Sequence, residues 1–141
     1  MRNDIVVNWP ASGEKFDLAT DKGAFHGGDA TAPPPLALFV AGLTGCVMTQ
    51  IRAFAKRFSI ELTDVTVHTK CHWKGDPSDD GAYIGSPVGF HLDVVIDSPT
   101  PQAERLRLLE AAQKGCFLEA SLTSVCQVTN RLKTDDGWQV A

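Results

Sequence analysis

Residues Pro35 to Ser59 read PLALFVAGLTGCVMTQIRAFAKRFS, and the expected architecture can be built outward from this segment. Its large apolar side chains recur every three or four positions, which is the period of an α-helix: Leu36, Phe39, Val40, Leu43, Val47, Ile51, Phe54 and Phe58. Charged residues are confined to the second half, whereas the first half is apolar or small all round. A helix of that kind is normally buried on every side, so we expect it to be the central core helix.

The flanking segments carry the patterns of strands and of one further helix. Alternation predicts a strand from Asp64 to Lys74 whose inward face holds Val65, Val67, Thr69, Cys71 and Trp73. The other predicted strands are Ile5–Trp9, Lys15–Ala19, Phe90–Ile96, Ser124–Leu132 and Trp138–Val140. An amphipathic helix is predicted from Pro101 to about Gly115, and its apolar face holds Leu106, Leu108, Leu109 and Ala112. A polar loop is predicted at Gly75–Gly89 and a short turn at Cys116–Leu122. This order indicates one α+β domain over residues 1–141, with a curved antiparallel sheet around the long helix.

Composition narrows the class of protein. The chain has 141 residues, of which 43% are hydrophobic and 21% charged, with a net charge of −4, so no basic field suggests a nucleic-acid partner. Met1 to Asp4 lack the apolar run of a signal peptide, and Arg52 interrupts the longest apolar stretch, which favours a cytoplasmic protein that does not span a membrane. In that compartment the four cysteines are expected to be mostly reduced.

Cys46 and Cys116 are the candidate reactive residues, because each lies in apolar sequence beside a predicted helix. A thiol reacts as its thiolate, which needs a helix N-terminus, a cation or donated hydrogen bonds. Cys46 lies too far into its helix for the dipole to help, although Thr49 and Gln50 share its face and could bond the sulfur. Read alone, these residues favour an inert core role for Cys46 and leave open whether the two sulfurs meet.

The remaining cysteines and histidines do not suggest a metal site. Cys71 and Cys126 fall on inward strand faces and are interpreted as core residues. His68 and His72 are expected on the face opposite Cys71, and no C-x-x-C pair exists, so neither zinc nor another cofactor is expected.

Several segments together carry a resemblance to a known family. They are the Pro-rich connector before Pro35, the run Ala41-Gly42-Leu43-Thr44-Gly45-Cys46, the strand starting Val65-Thr66-Val67, Gly89-Phe90-His91-Leu92, and the helix leading into Cys116-Phe117-Leu118-Glu119-Ala120-Ser121-Leu122. In this order they resemble the OsmC/Ohr superfamily. The likeness spans nearly the whole chain.

The resemblance implies an intertwined homodimer in which sheets from both chains wrap the central helices. It also implies a thiol-dependent peroxidase with a role in the oxidative stress response. Cys46 would attack an organic hydroperoxide, Cys116 would resolve the sulfenic acid as a disulfide, and a dithiol or lipoylated partner would reduce that disulfide. For binding the substrate, the candidates are Gln50, which shares a helix face with Cys46, Phe39 in the apolar part of the helix, and Lys22 in the N-terminal loop.

The sequence departs from the peroxidase members at three positions. They carry a glutamate near the start of the central helix, where this chain has Leu36-Ala37-Leu38, and an arginine in an N-terminal loop, for which Lys22 is the nearest substitute. Phe117 stands where proline is usual. The chain is therefore placed in a divergent branch, with two alternatives to a peroxidase. One is a non-peroxidatic OsmC-like protein that binds a small apolar ligand in the dimer cleft or carries out another thiol reaction. The other is a structural dimer whose cysteines are all core.

Overall fold

The computed structural model describes residues 2–8, 15–21, 29, 31–124, 127–135 and 137–140. In chain order, the elements are β1 (Arg2–Asn8), β2 (Lys15–Asp21), α1 (Pro35–Phe58), β3 (Asp64–Pro77), β4 (Tyr83–Asp97), α2 (Gln102–Gly115), α3 (Phe117–Thr123), β5 (Arg131–Thr134) and β6 (Gly137–Val140). Each strand pairs with its neighbour in sequence, giving three antiparallel hairpins, β1–β2, β3–β4 and β5–β6. The predicted α+β class is confirmed.

Helix α1 begins and ends where the sequence predicts, to within one residue. Pro34 precedes it in an extended conformation and Pro35 occupies the first turn, where the missing N–H of proline costs nothing. Ser59 ends the helix in the left-handed region at φ 54°, and Lys56 and Arg57 lie in the last turn, where cations suit the helix dipole. Its buried side chains, at intervals of four, are Leu43, Val47, Ile51 and Ala55.

The prediction that the first half of α1 is buried on every side is wrong for the single chain. Leu36 is 52% exposed and Phe39 is 39% exposed, while Ala41, Gly42 and Gly45 are also on the surface. The described elements that pack most closely against the helix are α2, β3 and α3. α1 is long and apolar enough to cross a membrane, but the core helix of a soluble protein can have the same length and composition.

β3 and β4 form a hairpin, and the predicted inward face of β3 is confirmed. Val65, Val67, Thr69, Cys71 and Trp73 are buried or half-buried, and the residues between them are exposed. The loop predicted over Gly75–Gly89 is wrong: β3 continues to Pro77 and β4 begins at Tyr83, with Gly75 opposite Gly85. A register shift at His72/Trp73 lets the strands accommodate Pro87, a residue that cannot donate to a regular ladder.

Two further predictions fail near the C-terminus. The strand predicted over Ser124–Leu132 is only Arg131–Thr134, and residues 127–130 form no strand. Val128, expected inward beside Cys126, is 80% exposed, and Cys126 itself lies outside the described residues. Leu106 is likewise exposed, because α2 turns Leu108 and Ala112 to the core instead.

The hydrophobic core lies where α1, α2 and the inward face of β3–β4 meet. Its buried members, besides the α1 face, are Val65, Ile96, Leu108, Ala112 and Cys116. A hydrogen bond from Thr44 Oγ1 to Thr69 Oγ1, 2.7 Å long, ties α1 to β3 one half-turn before Cys46. Cys46 packs against this core, and Cys116 belongs to it.

Candidate active site

Cys46 and Cys116, which are far apart in sequence, meet in the fold. Cys46 lies near the middle of α1 and is half-buried, whereas Cys116 is fully buried at the junction of α2 and α3. Their sulfurs are 3.1 Å apart, with the Cys116 thiol donating to Cys46. Both cysteines are free thiols. Two thiols at this separation can interact directly, and the geometry suits thiol–disulfide chemistry.

The backbone around Cys116 explains why its sulfur is held there. Its N–H donates to the carbonyl oxygen of Gln113 (3.1 Å), which closes α2. Its own carbonyl oxygen accepts from the Ala120 N–H (3.0 Å), which opens α3. Cys116 is thus fixed by hydrogen bonds on both sides, because it belongs to the ends of two helices at once.

Gly115 lets this junction approach α1 closely. A Cβ added at Gly115 would stand 2.6 Å from Cε2 of Phe54 and 3.3 Å from Oε1 of Gln50. Any larger residue would therefore have to displace the phenyl ring. The absence of a side chain at this position brings the neighbouring Cys116 against α1.

The surroundings of the Cys116 thiol favour its protonated form. Burial raises the pKa of Cys116, and its hydrogen bond and charge interaction with Cys46 raise it further. The backbone N–H groups of Glu119 and Leu118 act in the opposite direction on this pKa, but Cys116 makes no side-chain capping hydrogen bond. Cys116 therefore stays a protonated thiol in the ordinary pH range, while Cys46 is the more accessible of the two sulfurs.

A cavity of about 590 Å³ opens between β4 and the helices α2 and α3. Its lining residues are Phe90, Leu92, Gln113, Lys114, Glu119, Ala120, Leu122 and Thr123. Glu119 brings a half-buried carboxyl to this mostly apolar surface. Its Oε2 atom is buried and has no hydrogen-bond partner in the part of the chain that the structure describes. Burial raises the pKa of Glu119.

Sequence reasoning did not single out Glu119. A signal was available, since Cys116 and Glu119 have the spacing of a helix N-cap and the third residue of that helix. The sequence predicts a short helical turn after Cys116, but it does not show that this turn carries the Glu119 side chain into a partly buried position.

Comparison with known proteins places the chain in a family. A sequence model of the family described as OsmC-like protein matches residues 27–131, most of the chain. The chain belongs to the OsmC-like family. This confirms the resemblance drawn from the cysteine segments. No match was found among curated proteins.

Solved structures with the same OsmC-like fold agree with this assignment. An OsmC-like hydroperoxide resistance protein from Jannaschia sp. CCS1 is 45% identical, with a TM-score of 0.74, and the match covers 99% of this chain and 89% of that chain. An organic hydroperoxide resistance protein from Legionella pneumophila has 22% identity and a TM-score of 0.61, covering 88% of each chain. One from Bacillus subtilis has 21% identity and a TM-score of 0.55, covering 88% of this chain and 91% of that chain. The last two matches bear on the fold alone.

The other candidate residues of this OsmC-like protein are less closely joined to the thiols. In the described residues, Thr49 Oγ1 donates to the Gly45 carbonyl oxygen (2.8 Å), and neither Thr49 nor Gln50 hydrogen-bonds the Cys46 sulfur. Gln50 instead points its amide oxygen towards Gly115. Lys22 lies outside the described residues.

Phe39 belongs to an aromatic cluster at the start of α1. Its ring packs edge-on against Trp73 and tilted against Phe90, with centroids 6.0 and 6.2 Å away. A second cavity, of about 770 Å³, adjoins this cluster and is lined by Leu36, Trp73, Lys74, Gly75, Tyr83, Gly85, Ser86 and Pro87. The first turn of α1 carries no acidic residue, so no carboxylate stands there.

Cys71 lies on the opposite face of β3 from His68 and His72, as the alternation predicts. Cys71 lies half-buried on the inward face of β3, and burial raises its pKa. His68 and His72 lie on the exposed face, where the His72 ring meets that of His91 with centroids 6.5 Å apart. Among the described residues no three potential ligands come together to hold a metal ion.

Proposed function

We propose that this OsmC-like protein is a thiol-dependent peroxidase that reduces organic hydroperoxides through Cys46 and Cys116 and serves in the oxidative stress response. The observation that carries the proposal is the 3.1 Å separation of the two sulfurs, one accessible and one buried. Further support comes from the Jannaschia relative, which is described as a hydroperoxide resistance protein.

The proposed first step is attack of the Cys46 thiolate on the terminal oxygen of the hydroperoxide. The O–O bond breaks, Cys46 becomes a sulfenic acid, and the departing alkoxide takes a proton to leave as an alcohol. Cys46 is suited to this role because it is the less buried sulfur.

In the second step the Cys116 sulfur attacks the sulfenic acid sulfur. An S–S bond forms, the S–O bond breaks, and the Cys116 proton leaves with the hydroxyl group as water. A dithiol, free or carried on a lipoylated protein, then reduces the disulfide and is itself oxidised. The hydrogen bond between Cys116 and Cys46 supports this order, because the resolving thiol is already in contact with the sulfur that it must reach.

We further propose that the working unit is a cytoplasmic homodimer of single-domain subunits. The single chain leaves several large apolar side chains exposed, among them Leu36 on α1 and Phe117 on α3, the latter 79% exposed. Exposed apolar side chains can mark an interaction surface, and a second copy that wraps its strands around α1 would cover those on this helix.

The test of the peroxidase proposal is hydroperoxide consumption with a dithiol reductant. Cys46→Ser is expected to abolish turnover, whereas Cys116→Ser is expected to allow a single oxidation and then stall. Cys71→Ser is the matched control, since Cys71 is also half-buried but lies on β3. Equal rates in the wild type and Cys46→Ser would refute the proposal.

A second candidate function is non-peroxidatic binding of a small apolar ligand in the dimer cleft. It is favoured by the acid-free first turn of α1 and by the cavity beside Leu36 and Trp73. Native mass spectrometry of the purified protein would detect such a ligand. A bound apolar molecule together with no hydroperoxide consumption would favour this function over the first.

A further inference from the structure

One side of α1 faces α2 along the second half of the helix. Its members are spaced four residues apart and therefore lie in one row: Cys46, Gln50, Phe54 and Phe58. At one end of the row, the Cys46 sulfur lies 3.1 Å from that of Cys116, directly after α2. In the middle, Gln50 and Phe54 face Gly115. At the other end, the guanidinium carbon of Arg107 lies 4.5 Å from the centre of the Phe58 ring. α2 therefore runs antiparallel to α1 beside this row, from the aromatic end towards the thiol pair.

Two arginines cover the aromatic end of the row. The Arg57 guanidinium lies 5.2 Å from the centre of the Phe54 ring, as Arg107 lies over Phe58, and the two rings are 5.8 Å apart. Both arginine side chains are exposed. Stacking on a ring orients a guanidinium and leaves its N–H groups free to bind a carboxylate. These four residues form what we call the arginine–phenylalanine patch.

The patch is positively charged, although the whole chain has a net charge of −4. α1 carries three basic residues, Arg52, Lys56 and Arg57, and no acidic residue. Arg57 makes no ion pair with a described residue, whereas Arg107 pairs with Glu104 at 3.2 Å. An acidic partner would therefore meet positive charge that is only partly neutralised.

The patch lies within reach of the thiol pair. An α-helix rises 1.5 Å per residue, so Phe54 lies about 12 Å along the axis from Cys46, and Phe58 about 18 Å. An extended peptide spans roughly 3.3–3.6 Å per residue, so about four residues bridge the shorter gap. Cys46 is the more accessible sulfur of the pair. A single partner can therefore bind the patch and present a thiol to Cys46 at the same time.

We propose that the arginine–phenylalanine patch is the docking surface for an acidic protein segment that carries the reducing dithiol, an inference that rests on the proposed function. Carboxylates of that segment pair with Arg57 and Arg107. The first thiolate of the partner attacks the Cys46 sulfur of the disulfide. The S–S bond to Cys116 breaks, a mixed disulfide with Cys46 forms, and Cys116 leaves as a thiolate that takes up a proton.

The second thiol of the partner completes the exchange. As its thiolate, it attacks the partner's own sulfur in the mixed disulfide, and Cys46 leaves as a thiolate. The partner is oxidised to a disulfide, and its two electrons reduce the cysteine pair. Docking on the patch raises the rate of the first attack, because it holds the dithiol beside Cys46.

The experiment measures reduction of the Cys46–Cys116 disulfide by two synthetic peptides. Both carry a Cys-Gly-Pro-Cys dithiol followed by a four-residue Gly/Ser spacer, and they end in three glutamates or in three glutamines. The protein disulfide is made beforehand with diamide, so no peroxidase chemistry takes part. Acid quench, alkylation and mass spectrometry give the second-order rate constants at low salt and at 1 M salt, where the screening length is about 3 Å.

The acidic peptide is expected to react about tenfold faster than the neutral peptide at low salt, because complementary charge favours encounter. At 1 M salt the difference should disappear. The double variant Arg57→Gln/Arg107→Gln should lose most of the preference, whereas Arg57→Lys/Arg107→Lys should retain part of it because the charge remains. Arg131→Gln is the matched control: Arg131 is also exposed and stacks on a ring, 5.6 Å from the centre of Trp138, but lies on β5.

A preference for the acidic peptide that is lost in the double glutamine variant and kept in Arg131→Gln would support the docking surface. Equal rates for the two peptides with the wild type would overturn it, as would a disulfide that does not form in diamide. A preference that survives in the double glutamine variant would also overturn it. If that variant instead weakens association of the protein with itself, the patch belongs to a second copy.

Arg57→Gln alone decides the question if the double variant does not fold, because Arg57 makes no ion pair with a described residue. An unchanged peptide preference in this single variant would overturn the proposal. The expected preference together with no hydroperoxide consumption would remove the peroxidase proposal and leave the docking surface for a dithiol partner.

Discussion

Phe54 occupies the space that a side chain on residue 115 would need. The distance from an added Cβ at Gly115 to Cε2 of the Phe54 ring would be only 2.6 Å. Because Gly115 directly precedes Cys116, the phenyl ring and the missing side chain together set how closely the buried thiol approaches α1. The contact between the two sulfurs therefore depends on the packing of Phe54 against Gly115, one residue before the junction of α2 and α3.

Gly115→Ala is expected to weaken both the fold and the thiol pair. Overpacking of this kind typically costs about 1–3 kcal/mol, which urea denaturation would measure as a lower free energy of unfolding. The Cys46–Cys116 disulfide should also form more slowly in diamide, since α2 must move away from α1. Phe54→Leu in the same chain should recover part of both losses, and the double-mutant cycle would measure that coupling.

The matched control for this substitution is Gly85→Ala, at a β4 position where an added Cβ meets no atom within 4 Å. Disulfide formation in Gly85→Ala should match that of the wild type. If Gly115→Ala closed the disulfide at the wild-type rate, the proposed role of the Phe54 contact would be wrong.

The two thiols of the pair should react with alkylating reagents at very different rates. Cys46 is half-buried, whereas Cys116 is fully buried and its pKa is raised by that burial and by Cys46. Peptide mapping after a short pulse of iodoacetamide at neutral pH should show Cys46 modified first, by on the order of tenfold or more. Faster labelling of Cys116 would contradict the assignment of an accessible and a buried sulfur.

Glu119 should make stability depend on pH in a defined direction. Because folding raises its pKa, the neutral form is favoured in the native state. Its contribution to stability is fully present below the unfolded pKa of about 4.3 and is lost as the pH rises through the folded value. Glu119→Gln cannot ionise, so its melting temperature should rise relative to the wild type as the pH increases across that window. Glu110→Gln should show no such trend, and a constant difference for Glu119→Gln would contradict the expectation.

Association should depend on the exposed apolar side chains of α1. Leu36→Glu introduces a charge into the exposed apolar surface, yet a carboxylate in the first turn suits the helix dipole, so α1 itself should persist. Light scattering with size exclusion should show a dimer for the wild type and a dissociation constant at least about tenfold higher for the variant. Val95→Glu, at an exposed position on the other face of β4, should remain dimeric. A wild type that stays monomeric at all concentrations would refute the dimer.

The sequence predicts best those elements that are decided by local patterns. α1 was placed to within one residue, because Pro35 marks its start, basic residues its end and a regular apolar spacing its buried face. The inward face of β3 followed from alternation alone. Both signals depend on neighbours a few positions away, which a single sequence displays directly.

Features that depend on distant residues were missed. The segment after Lys74 reads as a loop because it contains glycine and proline, yet pairing with β4 makes it a strand in which the Tyr83 ring covers Gly75. The meeting of Cys46 and Cys116 could be expected only from the family resemblance, since spacing does not fix their distance. The burial of Glu119 depends on β4 side chains that the local sequence does not reveal.

Cys116 ends one helix and starts the next, so its backbone is held on both sides and its sulfur can move mainly by rotation about a single bond. Such a thiol has a small reach, but Cys46 already lies within it. An oxidised Cys46 would meet this tethered neighbour at a far higher effective concentration than any free cellular thiol such as glutathione. The consequence is selectivity: the pair would close on itself before a mixed disulfide or irreversible over-oxidation could take the sulfur out of use.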